Sequence, residues 1–126
     1  LADATGYAIT DGQSEAIAAT YNAMTSWLRD NLSARRFIPE VPFSAMTSDG
    51  GVCTGLIDLL VETDNGYWVI DHKTDRLIQE QEIFSHYWPQ LQAYCSALQN
   101  LGIAVSGAGL NLVNKGTLLL TRANVG

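Results

Sequence analysis

Asp58, Asp71 and Lys73 stand at the far ends of two arms joined by a tight turn, and this hairpin constrains the chain more than any other stretch. Gly55 to Thr63 and Tyr67 to Thr74 are rich in apolar and β-branched residues, and Asp64-Asn65-Gly66 between them is a strong hairpin signal. Asp71 and Lys73 are two apart, so on a strand they share a face. A two-residue turn at Asp64-Asn65 puts Asp58 opposite Asp71, whereas a turn at Asn65-Gly66 puts it opposite Lys73. Either register gathers two carboxylates and an amine on one face. A three-residue turn would flip that face unless a bulge restored it. Two carboxylates held together repel, so they call for a divalent cation between them, with the amine beside it. Leu59-Leu60-Val61 and Val69-Ile70 are buried-looking runs, which argues against a surface hairpin with scattered charges.

With 126 residues the chain is long enough for one domain with a core, residues 1–126. Its 47% hydrophobic and 16% charged content argue for a folded globule. No apolar run has the length of a membrane helix, and no signal or targeting pattern is visible. Because it starts at Leu1 without a methionine, the chain is read as a fragment or processed product. Cys53 and Cys95 fit no metal spacing and read as reduced core thiols of a cytoplasmic protein. A net charge of −6 lacks the basic footprint usual in a nucleic-acid binder. Either the ligand is something else, or the electrostatic grip comes from a larger protein.

Along the chain, Leu1 to Gln13 show no clear periodicity. Ser14 can cap a helix to about Asn31, with Ile17, Tyr21, Met24, Trp27 and Leu28 on one stripe. Phe37 to Met46 reads as a strand whose Pro39 and Pro42 mark an edge or a bend. Thr47 to Gly51 reads as a turn, and Val52 to Thr63 with Tyr67 to Lys73 form the hairpin. Gln79 to Leu101 reads as a long helix that Pro89 kinks or divides and Gly102 ends. Val105 to Val113 and Gly116 to Thr121 read as strands around Asn114-Lys115-Gly116. The order α-β-β-β-α-β-β predicts an α/β (α+β) architecture, a mixed β-sheet flanked by helices.

Other polar residues are weaker signals. Gln90 and Tyr94 are four apart on a helix face and can both hydrogen-bond a phosphate. Glu40 is a candidate third carboxylate, or an exposed edge-strand glutamate. His72 should point away from Asp71 and Lys73, while His86 lies one turn before Gln90; each reads more simply as structural. No phosphate-binding loop and no nucleophile-elbow serine is present.

Gly55-x-Ile57-Asp58, Asp71-x-Lys73 and Gln90-x-x-x-Tyr94 together resemble the RecB-like branch of the PD-(D/E)XK nuclease superfamily. The likeness is to the C-terminal nuclease domain of AddA/RecB-type helicase–nucleases of the UvrD family, and it covers roughly Phe37 to Leu101. It implies a restriction-endonuclease-like core of order α-β-β-β-α-β. It implies that Asp58, Asp71 and the backbone carbonyl of His72 bind Mg²⁺ or Mn²⁺, that Lys73 orients or activates the attacking water, and that Gln90 and Tyr94 hold DNA. Glu40 matches a Glu-x-Pro-Phe-like stretch that precedes the first aspartate in this branch. The branch also carries a metal-binding histidine on an earlier helix, and no histidine precedes His72 here. Either that helix lies upstream of Leu1 or the ligand is lost.

Two functions follow from the resemblance. One is a metal-dependent DNA exonuclease domain of an ATP-dependent helicase–nuclease in double-strand break repair and recombination, whose partners are DNA, the rest of the helicase chain and a second helicase–nuclease subunit. The other is a catalytically silent nuclease-like module that binds DNA or a partner.

Overall fold

The turn after Thr63 sets the register of the sheet. Thr63 pairs with Gly66 across Asp64-Asn65, and the ladder runs on to Leu59 opposite Ile70. The Thr63 hydroxyl donates to the Gly66 carbonyl at 2.7 Å and accepts from the Asn65 N–H at 3.2 Å, so it pins both sides of the turn. Gly66 has φ +141°, and a Cβ there would lie 2.6 Å from the Ser106 hydroxyl and 2.9 Å from the Ala104 carbonyl. Both conditions require glycine. Of the registers open to the sequence, this is the one that sets Asp58 toward Asp71.

The computed structural model describes residues 14–46, 49–74 and 80–122. The readings of Leu1 to Gln13, of Ile17 in the helix stripe, of Thr47-Ser48 in a turn and of Gln79 as a helix start lie outside the described residues. Helix α1 (Ser14–Leu32) precedes strands β1 (Ala34–Met46), β2 (Val52–Thr63) and β3 (Gly66–Lys73). Helix α2 (Glu80–Asn100) leads to β4 (Val105–Leu112) and, after a 3-10 turn at Val113–Lys115, to β5 (Thr117–Arg122). The five strands lie in the order β1-β2-β3-β4-β5. Only β3 and β4 are parallel, because α2 carries the chain back between them; the other neighbours are antiparallel. This is the predicted mixed sheet and element order, a restriction-endonuclease-like α/β fold.

Each helix covers one face. Met24 and Leu28 of α1 pack with Leu59, Val61, Trp68, Ile70, Leu118 and Leu120. On the other face Leu91, Cys95 and Leu98 of α2, spaced as one helical stripe, pack with Val69, Ala108, Leu110, Leu112 and Leu119. Alternation along β3 therefore sends Trp68 and Ile70 toward α1, and Val69, Asp71 and Lys73 toward α2.

Three local expectations need correction. Strand β1 starts at Ala34 rather than Phe37, with a register shift between Ala34 and Arg36. The charge of Arg35 and Arg36 argues against a strand in the sequence, yet both pair across the ladder with Glu62 or Asp64. Pro89 does not divide α2, for the helix runs through. Both Pro89 and Ser85, whose carbonyl it leaves without an N–H, are exposed, so water can take the bond. Finally, β4 stops at Leu112 and β5 starts at Thr117, and a 3-10 turn closed by left-handed Gly116 joins them.

Leu59→Ala should cost about 2–5 kcal/mol in urea unfolding, because Leu59 is wholly buried between the α1-side residues. Leu56→Ala, at a side chain 50% exposed, should cost less than about 1 kcal/mol. Equal losses would mean that the inward face of β2 is misassigned.

A candidate active site where the sheet forks

Beyond Leu59 and Ile70 the hairpin opens. Strand β2 stays paired with β1 down to Val52, while β3 stays paired with β4 up to Lys73 opposite Leu112. Beyond the Leu59–Ile70 rung no further ladder pair joins β2 to β3 among the described residues. Asp58 and Asp71 are the first residues inside this fork, and there they meet.

The strands are reshaped at the same rung. Leu59 and Val61 face α1, but Ile57, of the same parity, packs on the α2 side. Along β1, Phe37 faces α1 while Val41 and Phe43 pack toward α2. The change of face on β1 falls at Glu40, which has φ +54°. Pro39 pairs with Leu59 and Val41 with Ile57, so Glu40 stands across from Asp58. A non-glycine residue in the left-handed region costs on the order of 1 kcal/mol or more.

Inside the fork Asp58 accepts the His72 N–H at 2.9 Å. In an extended strand a residue's N–H and C=O point to the same edge, so the His72 carbonyl borders the same gap. The Asp58 and Asp71 carboxyls lie within hydrogen-bonding reach of each other, and a bond between them needs a proton on one. Burial and the neighbouring Asp58 push Asp71 up to about 6. Burial also works to raise Asp58. The hydrogen bonds from Asp71 and the His72 N–H, with the charge of Lys73, outweigh it and hold Asp58 below the ordinary value. Lys73 Nζ lies 2.9 Å from the Asp71 carboxylate. Burial opposes its charge, but the bond to Asp71 prevails and the amine is held above its usual range.

Below about pH 6 a proton on Asp71 relieves the repulsion of this pair, and a cation would relieve it in the same way. Two carboxylates and a carbonyl are hard donors that fit Mg²⁺ or Mn²⁺. Glu40, the fourth candidate, is exposed. Among the described residues no three His, Cys, Asp or Glu side chains are drawn together into a metal-holding group.

Helix α2 supplies the wall. Gln90 donates to the Tyr94 hydroxyl at 3.2 Å, and the Tyr94 ring meets Phe43 edge-on at 5.0 Å. Both rings lie over Gly55, where a Cβ would come within 2.9 Å of Phe43 and 3.1 Å of Tyr94. The glycine three residues before Asp58 thus lets α2 close on the hairpin. His72 points the other way, as its parity requires. Its Nδ1 pairs with Asn111 at 3.0 Å and its ring meets Tyr21 of α1 at 6.4 Å. Burial lowers its basicity, against the pull of Asp58. His86 is exposed and lies against Tyr87.

Two residues escape the sequence reading. Asn111 is buried in β4, and its Oδ1 has no hydrogen-bond partner among the described residues. Tyr87 holds the Lys73 amine 3.9 Å from its ring centre. A signal for it exists: it lies three and seven residues before Gln90 and Tyr94, on the same helix face.

Known proteins resemble this chain in three ways. The family model for the PD-(D/E)XK nuclease superfamily matches residues 2–121. An ATP-dependent helicase/nuclease subunit of Lysinibacillus sphaericus (strain C3-41) is 35% identical over 81 residues, a match covering 54% of this chain and 6% of that protein. The solved structure of SSO0001 is 22% identical with a TM-score of 0.46, covering 85% of this chain and 49% of that one.

Because Asp71 binds its proton more tightly folded than unfolded, its contribution to stability is complete below about pH 4 and is lost as pH rises through about 6. Asp58 acts in the opposite sense, but only at lower pH. His72, whose basicity burial lowers, acts against this near pH 6, so Asp71→Asn is the reference: in metal-free buffer the wild-type urea midpoint should fall relative to that of the variant between pH 4 and 6. A wild-type midpoint that rises relative to the variant across the window would contradict the raised Asp71.

Proposed function

The chain belongs to the PD-(D/E)XK nuclease superfamily, and from that membership we propose that residues 1–126 are a Mg²⁺- or Mn²⁺-dependent DNA exonuclease domain of a larger ATP-dependent helicase–nuclease. The observation that carries the reading is the meeting of Asp58 and Asp71 in the fork, with the Lys73 amine bound beside them. The superfamily acts on phosphodiesters, and an acidic pair next to a half-buried amine is suited to that chemistry.

In this reading Asp58, Asp71 and the His72 carbonyl hold the cation, and Glu40, across from Asp58 on β1, is the candidate fourth donor. When bound, the cation lowers the pKa of its water and offsets charge building on the phosphate. Lys73 orients that water and faces a phosphate oxygen. Before a cation binds, Asp71 holds the amine at the fork, and the His72 N–H fixes Asp58. Gln90 and Tyr94 receive the DNA backbone along the α2 wall, with Phe43 and Gly55 setting the tilt of the tyrosine.

The larger context rests on the helicase/nuclease relative, of which this stretch matches 6%. That relative is named as one component of an assembly, which implies a companion. The proposed partners are therefore DNA, the rest of the helicase chain and a second helicase–nuclease subunit. The motor would supply the grip on DNA that a chain of net charge −6 lacks. Double-strand break repair and recombination is the corresponding role. The free Cys53 and Cys95 accord with a cytoplasmic setting, and among the described residues no helix is long and apolar enough to cross a membrane.

In the proposed helicase–nuclease, Asp71→Ala or Lys73→Ala should reduce degradation of linear DNA by at least about a hundredfold and leave unwinding intact. EDTA should stop degradation, and Mg²⁺ or Mn²⁺ should restore it. Undiminished degradation by either variant would refute the assignment. A wild type that binds DNA without cutting it would mark the domain as a silent binding module.

A further inference from the structure

We propose that Tyr87 is a positioning residue for Lys73: its ring face holds the amine at the fork when a divalent cation draws on Asp71. The inference rests on the nuclease reading of the site and adds a residue to it.

Lys73 is the last residue of β3, on a four-carbon stem with many rotamers. Among the described residues two groups restrain its ammonium: the Asp71 carboxylate at 2.9 Å and the Tyr87 ring at 3.9 Å from its centre. The side chain is only 20% exposed, so the ring contact is largely shielded from water. A carboxylate and a ring face differ in one important way. Asp71 is also a candidate cation donor, and a divalent ion on its oxygens both takes up its charge and repels a nearby ammonium. The ion pair therefore weakens in the state that would act on DNA. The attraction of the ring to the amine does not depend on Asp71, so it persists.

The contact also suits the work asked of Lys73. An ammonium has three donors. A ring face attracts the charge without neutralising it, so a donor remains for the water or for a phosphate oxygen. Helix α2 carries Tyr87 on the same face as Gln90 and Tyr94, with Leu91 buried beneath. The wall proposed to receive DNA thus also sets the position of the amine. Tyr87 itself packs against the α2-side core, which fixes the ring in place.

Nuclear magnetic resonance on the whole chain tests the contact independently of activity. The Lys73 ε-methylene signals should lie upfield of a solvated lysine, as protons over a ring face do, and should stay upfield at saturating Mg²⁺. Tyr87→Leu should return them to the solvated position, while Tyr87→Phe, which keeps the ring, should not. Tyr87→Met takes the place of the leucine variant if that one loses amide dispersion. On DNA, Tyr87→Leu should lower kcat about tenfold with KM for DNA unchanged, and Tyr87→Phe should recover most of the rate. Lys73 signals that ignore Tyr87→Leu, or that leave the ring position on adding Mg²⁺, overturn the inference. So does a leucine variant that cuts DNA at the wild-type rate, which leaves the nuclease reading standing. A wild-type chain with the upfield signals and no DNA cleavage overturns the nuclease reading, and the positioning role falls with it.

Discussion

Two carboxyls held within hydrogen-bonding reach, at the point where β2 and β3 part, are the constraint on which the site depends. Like charges in a half-buried place do not stay together unaided. Here they are kept together by the ladder behind them. Five cross-strand pairs from Thr63–Gly66 to Leu59–Ile70 fix the register, and the buried Leu59, Val61, Val69 and Ile70 prevent a slip. A backbone N–H and a lysine amine, and below about pH 6 a proton, then offset the repulsion.

The same constraint explains the distortion of the neighbouring strands. If β2 had continued flat beside β3, Asp58 and Asp71 would have been ordinary ladder partners. Instead β1 and β2 change face together, at Glu40 and Asp58, and leave as a separate ribbon. The left-handed Glu40 is the local cost of opening the gap. Phe43 and Gly55, farther along the ribbon, come under Tyr94 and tie the opened end to α2. The fork is therefore held from both sides, by β4 on one and by α2 on the other.

Much of this is legible in the residues. Alternating and continuous apolar runs mark every strand, and Asp64-Asn65-Gly66 marks the turn that brings Asp58 to Asp71. The choice between a turn at Asp64-Asn65 and one at Asn65-Gly66 is not legible, because it is decided by the Thr63 hydroxyl and by the close approach of Ser106 to Gly66. The start of β1 is obscured by Arg35 and Arg36, whose partners are distant in sequence. The unbroken α2 is hidden because proline is tolerated only where the freed carbonyl reaches water, which is a property of the packed fold. Tyr87 and Asn111 mark the general limit: their partners, Lys73 and His72, lie on other elements, and no local pattern connects them.

All of this chemistry requires the fork to be a cation site built from Asp58 and Asp71. Calorimetric titration of the chain with Mn²⁺ at pH 6, beside its Asp58→Ala variant, tests that directly. The expected result is binding to the wild type with release of protons, since at this pH a fraction of the Asp71 carboxyls is protonated and the cation displaces that proton, and no binding to the variant. Equal binding by both, or none by the wild type, would contradict it.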